Sequence, residues 1–184
     1  MSNKNDTEIM PAGRLTRRAA LAGVGAMAAA GTGMASAAEP VADLVARAAE
    51  KNAAFINGDM QRWLQLVRIA PDFTLMQPFG GRASRGFDAG PARLHDMART
   101  FKSGKSSLEL EYAYASDAMI ALVMIERQTA EVGGLPEQDW SLRVTEVYRK
   151  DGSDWQLVHR HADPLVQRRT LDQTAALARG GGEK

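Results

Sequence analysis

From Ser106 to Val166 the chain offers one strand pattern after another, and this run restricts the fold more than any other feature. "SSLELEYAYA" alternates strictly, placing Leu108, Leu110, Tyr112 and Tyr114 on one side and Glu109 and Glu111 on the other. "DAMIALVMIERQTAEV" is apolar on both sides in its middle. "DWSLRVTEVYRK" and "DWQLVHRHADPL" follow, joined by Asp151-Gly152-Ser153, a hairpin signal. Consecutive strands joined by short turns pair antiparallel, and the sheet they form needs something to cover its apolar face.

The preceding residues supply the cover. Apolar residues at 41, 44, 45, 48, 55 and 56 have helical spacing. Asn57-Gly58 reads as a helix stop and Asp59 as the cap of a second helix through Trp63, Leu64 and Val67, ended by Pro71. "DFTLMQPFGG" reads as a short strand leaving into a glycine turn. Asp88 reads as the cap of a third helix carrying Leu94, Met97, Ala98 and Phe101, closed by "KSG". Helices first and strands after predict an α+β domain, with three N-terminal helices on one face of a curled antiparallel sheet. Residues from Gln167 onward have a weak helical pattern and read as a mobile tail, 167–184. Because 118–128 is apolar on both faces, the outer sheet face is expected to meet a second copy of the chain, giving a homodimer.

Residues 1–37 read as a leader rather than as domain. Thr16-Arg17-Arg18 and Leu21 follow the twin-arginine export order, a weakly apolar Ala/Gly run comes next, and Ala35-Ser36-Ala37 is a cleavage signature. This predicts export to the periplasm or beyond, with no membrane span in the mature chain. The leader holds Lys4, Arg14, Arg17 and Arg18 against Asp6 and Glu8. Without it, the 23 basic and 22 acidic residues become 19 and 20, and 147 residues remain. A net charge near −1 gives no basic surface for nucleic acid or acidic lipid. The chain has no cysteine, which excludes disulfides, thiol nucleophiles and Cys-ligated zinc.

Five segments in order carry a family resemblance: "INGDMQRWLQLV", "PDFTLMQPFGG", "RGFDAGPARLHDMARTF", "IERQTAEVGG" and "LRVTEVYRKDGSDWQLVHRHADPLV". Together they resemble the SnoaL-like, ketosteroid-isomerase-like group of the nuclear transport factor 2-like superfamily, over roughly residues 41–166. The last segment is also similar to the end of the association domain of calcium/calmodulin-dependent kinases. The resemblance implies a cone-shaped α+β domain, 38–166, with a pocket between sheet and helices, commonly in a dimer or larger ring. Isomerases, cyclases, dehydratases, binding domains and assembly domains share this fold.

Read with strict alternation, His159, His161 and Asp163 point the same way as Trp155 and Leu157. In such a cone they would face the polar mouth of the pocket, with Glu126, Arg143, Glu146 and Asp163 as candidate partners. Three readings stay open at this point: an internal network that fixes strand register, a ligand contact, and a metal site completed by Asp163, Glu126 or His95. No third metal ligand has an identifying spacing, so neither metal nor organic cofactor is expected. His95 reads as a half-exposed helix residue, Arg82 and Arg85 as a solvated loop, and Tyr112 and Tyr114 as core sooner than oxyanion donors. Arg127 and Arg143 interrupt apolar strands, where an arginine often holds a carboxylate. The carboxylates and tyrosine of steroid isomerase chemistry do not map onto this sequence.

The favoured function is a small-molecule-binding module for an apolar or carboxylate-bearing ligand. Arg143, Glu126, His159, His161 and Asp163 would fix the polar end, and Tyr112, Met76, Phe79 and Trp63 would form the wall. The alternative is a cofactor-independent isomerase, cyclase or dehydratase using His159, His161 and Glu126 in acid–base roles. A third reading, a pure assembly domain, predicts a sealed or very small pocket.

Overall fold

A computed structural model describes residues 35–179. The expected leader, apart from its last three residues, and the five C-terminal residues lie outside the described residues. Helix α1 spans Ala35–Ile56, α2 Met60–Leu66 and α3 Pro91–Thr100. Strands β1 Ile69–Met76, β2 Ser84–Arg85, β3 Phe101–Ala115, β4 Met119–Val132, β5 Leu135–Asp139, β6 Leu142–Asp151 and β7 Asp154–Pro164 form one sheet. Its order is β2-β1-β7-β6-β4-β3, with β5 paired to β4. Helix α4 spans Leu171–Ala178 in the expected tail, opens with a Thr170–Gln173 capping box, and buries none of its residues. No helix among the described residues is long and apolar enough to cross a membrane.

The expected α+β architecture is present, with one parallel pair. β1 runs parallel to β7, and every other pairing is antiparallel. Pro71 does not end α2, as the sequence suggested. The helix stops at Leu66, and Pro71 lies inside β1. Proline cannot donate to a ladder, and the β1–β7 register breaks between Ile69 and Thr74, around this residue.

Local chemistry explains the helix ends. Asp59 accepts from the Arg62 amide and caps α2. Gly58 has φ +72°, and a Cβ there would lie 2.5 Å from the Ala98 carbonyl oxygen and 2.8 Å from that of Phe101. The α1–α2 turn can therefore press against the α3–β3 junction only because the residue is glycine. Asp88 does not cap α3 directly. Its carboxylate accepts from the Gly90 amide at 2.7 Å, Gly90 is the cap, and Pro91 starts the helix. Phe101, expected on α3, opens β3 and packs on Phe55 with ring centroids 4.6 Å apart. β5 was not anticipated, although Gly133-Gly134, both at positive φ, is a hairpin signal.

Two bulges decide which residues face the helices. Along β7, Leu157 pairs with Tyr148 but His159 with Val147, so Val158 is the extra residue. Along β3, Leu110 pairs with Met124 but Tyr112 with Val123, so Glu111 is the extra residue. An inserted residue reverses the faces of everything beyond it. The inner face thus carries Ile120, Leu122, Met124, Val144, Leu157 and Ala162, all buried beneath the helices with Leu44, Ala48, Trp63 and Phe73. The outer face carries Tyr112, Tyr114, Val123, Ile125, Val147, His159 and His161.

Candidate functional site

The inner face closes against α1, α2, α3 and the loop after β1 around a cavity of about 540 Å³. Phe55, Trp63, Phe73, Phe79, Phe87, Phe101 and Trp140 are among its lining residues, beside Leu75, Met97 and Leu157. This wall comes from α1, α2, α3, β1, β3 and β7 and the loops between them, because each presents its apolar stripe inward. Lys51, Asn52, Glu126, Gln128 and Arg160 add polar side chains to the lining.

Those polar groups are paired. Arg160 donates to both oxygens of Glu126, at 2.9 and 2.7 Å, and to Glu146 Oε1 at 2.8 Å. Lys51 Nζ donates to the same Glu146 oxygen at 2.5 Å, and the Tyr148 hydroxyl donates to the other at 2.5 Å. Glu126 is 1% exposed and Glu146 0%. Two cations and two carboxylates thus cancel inside the domain. Each charge is costly to bury, and each is tolerable only beside its partners.

The titration of this cluster follows from its geometry. Burial opposes the Glu146 carboxylate, but Lys51 and Arg160 more than offset it and hold its pKa at about 2. Burial acts most strongly on Lys51 and lowers its pKa, with repulsion from Arg160 adding to that and Glu146 opposing it. The two effects pull the shared proton opposite ways. Glu146 accepts from three donors while Lys51 has one acceptor, so the ionised carboxylate is the dominant state. Burial and the neighbouring Glu146 push the Tyr148 phenol well above its usual range. Beside this cluster Asn52 donates to Gln128 Oε1 at 2.8 Å, and Gln128 donates onward to the Trp140 carbonyl at 3.0 Å.

The expected site residues separate into two groups. Glu126, Trp63 and Phe79 line the cavity. His159, His161, Asp163, Arg143, Tyr112 and Met76 do not, and the sequence reading is corrected for each. The Val158 bulge turns His159, His161 and Asp163 to the outer face and turns Arg160 inward. The Glu111 bulge turns Tyr112 outward, where it is 59% exposed. Arg143 alternates with the buried Leu142 and Val144, and so points outward to Asp163 at 3.3 Å. Met76 alternates with the cavity residue Leu75. On the outer face the ring nitrogen His159 Nδ1 lies 2.8 Å from the Thr74 hydroxyl, and His161 Nε2 lies 3.4 Å from Asp163. Glu126 is on the other side of the sheet and His95 is exposed on α3, so neither completes a metal site with the histidines.

Sequence reasoning missed Lys51 and Arg160. Lys51 and Asn52 fill the gap in the α1 stripe between Ala48 and Phe55, a position that spacing places on the buried face. Arg160 stands between the two histidines, and strict alternation hides it.

No protein-family model matches the sequence, and no curated protein is similar to it. Solved structures do match. A protein of the nuclear transport factor 2-like family from Streptomyces avermitilis aligns with a TM-score of 0.56 at 15% identity, covering 71% of this chain and 99% of the other. A nuclear transport factor 2-like superfamily protein from Salmonella enterica aligns with a TM-score of 0.54 at 17% identity, covering 73% and 94%. The association domain of C. elegans calcium/calmodulin-dependent kinase II aligns with a TM-score of 0.50 at 11% identity, covering 70% and 98%. At these identities the likeness concerns the fold.

Proposed function

We propose that this chain, with its nuclear transport factor 2-like α+β fold, is a small-molecule-binding module for a neutral, largely apolar ring compound. The observation that carries the reading is the aromatic cavity of about 540 Å³, in which the inward-facing charged lining residues Lys51, Glu126 and Arg160 are all ion-paired, while the exposed Asp88, Arg93 and Asp96 lie at its α3 side. A carboxylate-bearing ligand reaching the buried end would lie beside Glu126, where Arg160 and Lys51 are already engaged by carboxylates. Arg143, the residue expected to receive it, lies on the opposite face. Histidine acid–base chemistry in this cavity loses its groups for the same reason. A cavity of this size also argues against the sealed pocket expected of a pure assembly domain.

Nile red, a neutral fluorescent ring compound, is expected to bind one per chain with micromolar affinity and a blue-shifted emission. Leu75→Trp, which fills the cavity from β1, should weaken that binding about tenfold, a change of about 1.4 kcal/mol. Unaltered binding in this variant would refute the cavity as the site.

The outer face is proposed as the contact for a second copy. The Tyr112 and Tyr114 rings lie with centroids 4.7 Å apart at an interplanar angle of 53° and are 59% and 63% exposed, beside Val123, Ile125 and Val147. An exposed aromatic pair beside half-buried aliphatic residues marks an interaction surface, and the similarity to an association domain supports self-association. Sedimentation equilibrium should give a dimer for the native protein and a monomer for Val123→Glu. A monomeric native protein at tens of micromolar (order of magnitude for a weak dimer) would contradict it.

A further inference from the structure

The glutamates that neutralise Arg160 use only part of it. A guanidinium carries five N–H donors in one plane. Nη1 donates to Glu126 Oε1 and Glu146 Oε1, and Nη2 to Glu126 Oε2. The Nε–H and one Nη2–H are left, side by side on one edge of the group, and neither has an acceptor among the described residues.

That edge is open. The Arg160 side chain is 20% accessible, against 8% for Lys51. Trp140 Nε1 is the one fully buried side-chain nitrogen or oxygen without a partner among the described residues, so the unpartnered Arg160 Nε keeps accessible surface. Arg160 lines the cavity. It stands on β7, between β1 and β6, on the face where Lys51 of α1 meets Glu146. The accessible part of an inward side chain on such an interior strand opens into the cavity. Three charge-assisted hydrogen bonds hold the guanidinium plane, so the free edge is set before any ligand arrives. Two cations and two carboxylates already cancel, and an acceptor that adds no charge fits this edge best.

We infer that the free edge of Arg160 orients the ligand, with Nε–H and Nη2–H donating to the carbonyl oxygen of a neutral ring ketone or ester whose apolar body fills the aromatic part of the cavity. The inference rests on the cavity reading above and narrows it to neutral molecules bearing a carbonyl. A bound hydrocarbon would leave both donors unpaired. An anion would satisfy them and then meet Glu126 and Glu146.

Three naphthalenes of similar shape separate these cases: 2-acetylnaphthalene, 2-ethylnaphthalene and 2-naphthoate. The native full chain should bind the ketone about tenfold more tightly than the hydrocarbon, the ratio that one net hydrogen bond gives, and should bind the carboxylate more weakly than the ketone. The NMR signal of the Arg160 Nε–H should move downfield with the ketone and not with the hydrocarbon, a readout that needs no variant to fold. In the fourfold variant Lys51→Met, Glu126→Met, Glu146→Met and Arg160→Met, which strands no buried charge, the ketone preference should fall to about one. Binding of the ketone without movement of the Arg160 signal, a preference that survives the fourfold variant, or a carboxylate that binds more tightly than the ketone overturns the inference and leaves the cavity as the site. Failure of all three compounds to bind refutes the cavity reading and this inference with it.

Discussion

Arg160→Met is expected to destabilise the domain by about 3–5 kcal/mol, the range for removing one member of a buried charge network. Arg160 holds both oxygens of Glu126 and one of Glu146. Without it Glu126 keeps no cation, and Glu146 keeps only Lys51 and the Tyr148 hydroxyl. The methionine fills much of the stem volume, so the loss reports the stranded carboxylates rather than a void. Urea denaturation midpoints measure it. Converting Lys51, Glu126, Glu146 and Arg160 together to methionine should recover most of the loss, since an intact buried network contributes little over a well-packed apolar one. A change under about 1 kcal/mol for Arg160→Met, the level of an exposed pair, would show that the cluster is not buried as described.

The same cluster sets a second large effect, at low pH. Glu146 has a pKa of about 2 in the folded chain against an ordinary value of 4.5. A depressed carboxylate contributes stability that is complete above its unfolded pKa and is lost as pH falls through the folded one. The window therefore runs from about pH 4.5 down to about pH 2, and the loss is on the order of 3 kcal/mol. Unfolding midpoints at a series of pH values should drop across that window. In Glu146→Gln the drop should be much smaller, from a lower starting stability. A native curve as flat as the variant's would mean that Glu146 is not held ionised by Lys51 and Arg160.

Periodicity made the elements legible and left the faces hidden. Helical spacing found α1, Asn57-Gly58 found its end, and Asp151-Gly152-Ser153 found the last hairpin. The order of helices and strands carried the fold class. The site failed at two single residues. Nothing in "WQLVHRHADP" marks Val158 as the extra residue of a bulge, since bulge position depends on the neighbouring strand. One such slip exchanged His159 and His161 for Arg160. Glu111 did the same for Tyr112. The α1 stripe held a readable signal, because its gap between Ala48 and Phe55 requires inward residues at 51 and 52. A lysine there has to meet a buried carboxylate, and Glu126 and Glu146 were both visible inside strand patterns.

The central claim is that ligand enters between sheet and helices, not onto the outer face where the histidines lie. The most direct measurement is the set of intermolecular nuclear Overhauser effects from bound Nile red to methyl groups of the native protein. Contacts to Leu75, Met97 and Leu157 are predicted. Contacts to Val123, Ile125 and Val147 instead would place the ligand on the outer face and contradict the account.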